Sequence, residues 1–142
     1  MRKFIPLLFV FIFSVCISAQ SGSVENSIRD VMNKQVNDWN RGDIDAFMTG
    51  YWKSEKLTFI SGDKVTRGWQ QTLDNYKRTY ATRQLMGKLS FSDLEFTIIS
   101  KDAAVVLGSW SLAREKDNPH GKFTLLFRKF KDGWKIVQDH TS

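Results

Sequence analysis

The chain has 142 residues, 21 Lys plus Arg against 15 Asp plus Glu, and a formal charge of +6. That length supports one hydrophobic core rather than several domains. The basic residues are scattered without a polybasic block, which excludes nucleic acid as a first guess for a partner, and one Cys with two His leaves no cysteine–histidine set for a metal.

At the N-terminus, Arg2 and Lys3 precede an apolar run from Phe4 to Val15, and Ile17-Ser18-Ala19 follows. This is the layout of a signal peptide with a small-residue cleavage site, and the run falls short of the roughly 20 apolar residues a membrane span requires. Residues 1–19 are therefore expected to be removed after Ala19, leaving an exported, periplasmic or secreted domain over residues 20–142 with no stable membrane span. Removal of Arg2 and Lys3 lowers the charge to +4, and Cys16 departs with the segment. The competing reading, a lipoprotein anchored through Cys16, meets Val15 where such signals carry a small residue.

From Val24 the apolar positions Val24, Ile28, Val31, Met32, Val36 and Trp39 follow the spacing of one helical face. "NRGD" breaks that pattern, and Asp43 is placed to cap a second, short helix whose Ile44, Phe47, Met48 and Tyr51 share a side. "KLTFIS" alternates as a strand, turns at Gly62-Asp63 and returns through Val65 to Arg67. A third helix carries Trp69, Leu73, Tyr76 and Tyr80 as an aromatic stripe.

Beyond it the period becomes two, and "KLSFSDLEFTIIS", "AAVVLGSWSLARE", "GKFTLLFRKF" and "WKIVQDHTS" read as four strands of an antiparallel meander. Asp132-Gly133 marks the last hairpin. In the first of these strands Leu89 and Phe91 hold one phase while Leu94, Phe96 and Ile98 hold the other, so a β-bulge is expected near Ser92-Asp93, bending and curling the sheet.

The final strand ends in Asp139-His140-Thr141-Ser142, letters that suggest a hydrolytic triad. Neighbours in a strand face opposite ways, so a contiguous Asp-His-Thr cannot assemble one. Plain alternation groups Trp134, Ile136, Gln138 and His140 on one face, and Lys135, Val137, Asp139 and Thr141 on the other. An isomerase-like site would need a carboxylate base against apolar walls and an oxyanion donor such as Tyr. Asp93, Glu95 and Asp139 are the available carboxylates, and strand phase directs all of them to solvent. Trp39, Tyr51, Trp52, Trp69, Tyr76, Tyr80 and Trp110 form an aromatic set, with Trp39 expected only in the core. Arg67 and Arg128 are further positions for an acidic ligand. The glycines are isolated turn residues without a phosphate cradle, no metal-binding motif is present, and no cofactor is expected.

The segments "WNRGDIDAFMTGYW", "VTRGWQQTLDNY", "VVLGSWSL" and "GKFTLLFRKFKDGWKIVQDHTS", in this order, resemble the nuclear transport factor 2-like superfamily. More narrowly, they are similar to its SnoaL-like, domain-of-unknown-function branch, related to the calcium/calmodulin-dependent kinase association domain. The resemblance implies an α+β fold, a cone-like curved antiparallel sheet wrapped over three N-terminal helices, with a pocket at the open end and a homodimer formed through the sheet. It includes isomerases, cyclases and dehydratases, and fold alone does not choose among them. Related end strands commonly carry a pocket-facing His at the position of His140 and another two residues earlier, where this chain has Gln138. The expected ligand-binding set is thus Tyr51, Trp52, Trp69, Tyr76, Trp110, Gln138 and His140, with His140 as the acid–base residue if the protein is an enzyme. The leading expectation is a small-molecule-binding domain with an aromatic pocket; an isomerase, cyclase or lyase and a homo-oligomeric interaction module are the alternatives.

Overall fold

The computed structural model describes the backbone of residues 12–142 and the side chains of residues 22–142. Arg2, Lys3 and the first part of the expected signal segment lie outside the described residues. Helix α1 spans Ile12–Asn40, so its backbone runs continuously through Ala19. No helix among the described residues is long and apolar enough to cross a membrane.

Helix α1 buries Val24, Ile28, Met32, Gln35 and Trp39 along one face, the spacing that its sequence period requires. It stops where Gly42 takes a left-handed φ of 89°, a conformation glycine adopts without steric cost. Asp43 then caps α2 (Ile44–Phe47), its Oδ1 accepting from the Ala46 N–H at 2.8 Å. Behind this junction Asp38 is buried, and the exposed Lys34 and Arg41 satisfy its oxygens at 2.6 and 3.0 Å. A 3₁₀ turn over Met48–Gly50 leads out of α2.

The hairpin β1 (Thr58–Ser61) and β2 (Lys64–Arg67) precedes α3 (Trp69–Thr79). A fourth helix, α4 (Arg83–Met86), is an addition to the three expected, and it is a single turn capped by the Thr82 hydroxyl. The meander follows as β3 (Lys88–Ser100), β4 (Ala103–Ala113), β5 (His120–Phe130) and β6 (Gly133–Thr141). The six strands form one sheet in the order β2-β1-β6-β5-β4-β3. Its ladders are antiparallel except that β1 runs parallel to β6.

Two irregularities set the faces of this sheet. In β3 the register shifts between Ser92 and Glu95, with Asp93 at a positive φ of 53°, at the site of the phase slip. In β6 the register shifts again: Leu126 pairs with Gln138 and Phe127 with Ile136, so Val137 is an extra residue opposite no partner. A bulge of one residue reverses every side chain beyond it. Trp134 and Ile136 point inward as alternation requires, but from there the inward positions are Asp139 and Thr141, while Gln138 and His140 are exposed. The grouping of Gln138 and His140 with Trp134 and Ile136 is therefore corrected.

The core lies between α1, α2 and the inner face of the sheet, where Ala104, Val106, Leu125, Phe127 and Ile136 are buried. Gly108 has no room for a side chain, since a Cβ there would stand 2.5 Å from the Phe123 ring and 2.7 Å from Leu94. Its absence lets these two groups close over the inner face.

Candidate functional site

Between the helices and the inner face of the sheet lies a cavity of about 380 Å³, a size typical of small-molecule sites. Its buried end is built on β6. Asp139 pairs with Phe59 of β1 on one side and with Leu125 of β5 on the other, so its carboxyl group has apolar neighbours across both ladders. Tyr51 is delivered to the same place by the backbone. It bridges to Ile136, and the following N–H, of Trp52, donates to the Ile136 carbonyl at 2.9 Å. The Tyr51 hydroxyl then donates to Asp139 Oδ2 at 2.7 Å.

Asp139 is only 5% exposed, and its Oδ1 is buried without a hydrogen-bond partner among the described residues. Leaving a buried carboxyl oxygen unpaired disfavours the charged form. Burial accordingly pushes the Asp139 pKa up to about 7, against the opposing pull of the Tyr51 hydrogen bond. The phenols respond in the same direction. Burial first, and then the Asp139 charge, raise Tyr51 and Tyr76 well above their usual range, so both remain protonated donors.

Aromatic rings form the helix-side wall. Trp39 meets Phe47 edge-on at 5.1 Å and Tyr80 at 4.8 Å, and Tyr76 meets Phe47 at 5.4 Å and Phe59 at 5.6 Å. Edge-to-face pairs of this kind contribute about 0.5–1.5 kcal/mol each beyond burial, which holds the wall rigid around the open space. The Trp39 indole is satisfied by the Met86 carbonyl at 3.1 Å, so Trp39 serves both core and cavity. Toward solvent the lining becomes polar, with Ser61, Lys64, Asn75 and Arg78 on one part of the rim, over the buried Thr66, and Trp110, Thr141 and Ser142 on another.

Of the ligand-binding residues expected from the sequence, the structure brings Tyr51, Tyr76 and Trp110 to the cavity. The other four lie elsewhere. Trp52 stacks on Phe130 at 5.4 Å with an 18° interplanar angle, and Trp69 points its indole at the Met48 carbonyl, 2.9 Å away, locking α3 against the 3₁₀ turn. Gln138 and His140 stand on the outer face, where His140 pairs with Thr124 and Ile60, because the Val137 bulge reverses them. Arg67 donates to Thr58 at 3.2 Å, and both it and Arg128 are exposed away from the cavity lining.

The carboxylates divide differently from the expectation. Asp93 and Glu95 are exposed; hydrogen bonds from Ser109 and Ser92, with Lys122 nearby, lower the Asp93 pKa. Asp139, also expected in solvent, is the buried acid of the site. Its only sequence signal was the phenol-plus-carboxylate requirement of proton-transfer chemistry, which did not say which carboxylate. Among the described residues no group of three or more His, Cys, Asp or Glu is arranged to hold a metal ion.

Comparison with known proteins adds the family. A solved nuclear transport factor 2-like protein of unknown function from Shewanella oneidensis is 44% identical, superposes with a TM-score of 0.80, and is matched over 83% of this chain and 98% of its own. A nuclear transport factor 2-like superfamily protein from Salmonella enterica serovar Typhimurium shares the fold at 21% identity and a TM-score of 0.66, over 86% of this chain and 92% of its own. A protein provisionally named a scytalone dehydratase, from Novosphingobium aromaticivorans, does so at 12% identity and a TM-score of 0.68, over 87% and 86%. No curated protein sequence matches the chain significantly. Residues 28–142, from the middle of α1 through β6, match the SnoaL-like domain, and with the curved sheet, the capped helices and the Shewanella relative in agreement, the chain belongs to the SnoaL-like domain family.

Proposed function

We propose that the cavity binds a small, largely apolar molecule bearing a carbonyl or hydroxyl group, and that Asp139 exchanges a proton with it in a reaction of the isomerase or lyase type. The observation that carries this reading is the Asp139 carboxyl: buried among apolar side chains, bonded through one oxygen to Tyr51 and left with the other free. With a pKa of about 7, it is populated near neutrality in both the form that accepts a proton and the form that returns one, the condition for efficient general acid–base catalysis. In the forward step the carboxylate takes a proton from the carbon next to a carbonyl. The C–H electron pair moves into the enolate, whose oxygen is stabilised by a phenol O–H, and the carboxylic acid then returns the proton to a second carbon or to a departing oxygen. Tyr76, the protonated phenol that does not donate to Asp139, suits the oxyanion role. His140, on the outer face, takes no part.

The test uses a bicyclic ketone, 2-tetralone, in deuterium oxide, with exchange of its α-protons followed by NMR. The protein is expected to accelerate exchange, with a rate that rises as pH passes through about 7 and falls by about 100-fold or more in Asp139→Asn. His140→Gln is expected to leave it unchanged. Equal rates in the wild type and Asp139→Asn would refute the proposal.

The homodimer implied by the family resemblance belongs to the same proposal, with the outer face of the sheet as its surface. Leu107 and Val65 are exposed there at 42% and 51%, in a cross-strand row with Thr124, His140 and Ile60.

A further inference from the structure

The charged side chains at the rim of the cavity are all cationic. Lys64, from the β1–β2 hairpin, and Arg78, from the last turn of α3, both line it, and neither is paired with a carboxylate among the described residues. Their neighbours behave differently. Lys77, one position before Arg78, is held by Asp45 at 2.8 Å, and the basic residues of α1, Arg29 and Lys34, each have an acidic partner. Arg78 is also oriented: it donates through Nη2 to Asn75 Oδ1, while Asn75 Nδ2 donates to Thr66 Oγ1 at 3.3 Å. The guanidinium is thereby tied to β2 at the rim.

The one side-chain carboxyl in the lining is Asp139, at the buried end. A ligand entering this space meets cations at the mouth, an aromatic sleeve, and a carboxyl group that becomes negative above about pH 7. An anionic group on the ligand is attracted to the rim and repelled from the far end, so it fixes the direction of entry. The sleeve bounds the body of the ligand. A dry apolar cavity of about 150 Å³ holds one benzene ring, so 380 Å³ accommodates a fused pair of rings or its alicyclic equivalent.

We propose that the ligand is an amphiphilic monoanion, a carboxylate on a one- or two-ring apolar body, with the carboxylate held by Lys64 and Arg78 and the opposite end presented to Tyr51 and Asp139. The proposal rests on the small-molecule reading of the cavity and names the class of molecule it takes.

The test is a binding comparison at pH 8 and low salt among 2-naphthoate, neutral 2-naphthol and the cationic 2-naphthylmethylammonium, by calorimetry or quenching of Trp fluorescence. The expected order is naphthoate, naphthol, ammonium, with naphthoate favoured over naphthol by about tenfold, the scale of two solvated rim contacts. That preference is expected to shrink with added salt and to vanish in the double variant Lys64→Gln/Arg78→Gln. Both side chains are exposed, and the naphthol affinity of the double variant reports that the cavity is intact. Equal binding of naphthoate and naphthol by the wild type would overturn the anion proposal while leaving the cavity reading standing. A preference that survives loss of both cations would overturn it too, because the carboxylate would then be bound elsewhere. Binding of none of the three would overturn the cavity reading and this proposal together.

Discussion

Asp139 places an unfavourable group in the core. In the folded chain its pKa is raised to about 7, whereas in the unfolded chain it takes the ordinary value near 4. Between these values Asp139 holds more protons in the folded state than in the unfolded state, so its contribution to stability is most favourable at low pH and falls as pH rises from about 4 to about 7, with no further loss above that. That difference amounts to roughly 4 kcal/mol at most, a large part of the 5–15 kcal/mol typical of a domain. Asp139→Asn keeps an acceptor for Tyr51 and removes the titration. The variant is expected to be more stable than the wild type at pH 8, by up to about 4 kcal/mol, and to lose the slope between pH 4 and 7 in urea denaturation. A wild type whose stability is flat over that interval would contradict the burial of an ionisable Asp139. Stability lost to keep a charged group dry is the trade expected at a functional site.

At the scale of elements, the two bulges explain what the sequence revealed and what it hid. The slip in β3 was legible because apolar residues mark both phases, Leu89 and Phe91 before it and Leu94, Phe96 and Ile98 after. The slip in β6 occurs at Val137, and the residues beyond it, Gln138, Asp139, His140 and Thr141, are all polar. With no apolar residue downstream, nothing in the pattern reports which of them face inward, and plain alternation chose the wrong pair. The aromatic residues divided for a related reason. Helical period placed Trp69 and Tyr76 on one stripe, but the stripe is wide enough for Tyr76 to line the cavity while Trp69 turns to the Met48 carbonyl. The parallel contact of β1 with β6, which sets Phe59 beside Asp139, pairs segments far apart in the chain and left no local signal.

For the whole molecule, element order and hydrophobic period sufficed for the α+β fold and its curled sheet, because apart from α4 and the end of β6 the helices and strands were locally consistent with the final structure. Assembly follows from what the sheet leaves outside. Leu107 sits midway along β4 on the outer face, between Glu95 and Thr124 across the ladders, and a homodimer through that face would cover it. Sedimentation is expected to show a dimer that Leu107→Lys converts to monomer, since a buried unpaired cation is costly; a wild type that remains monomeric at all concentrations would remove the dimer. The proposed function depends on a single ionisation. Following the side-chain carboxyl carbon of Asp139 by NMR across pH 3–9, with Asp139→Asn to assign it, measures that ionisation directly. Titration near pH 7 is the predicted result, and titration near 4, the value of a solvated aspartate, would contradict the account.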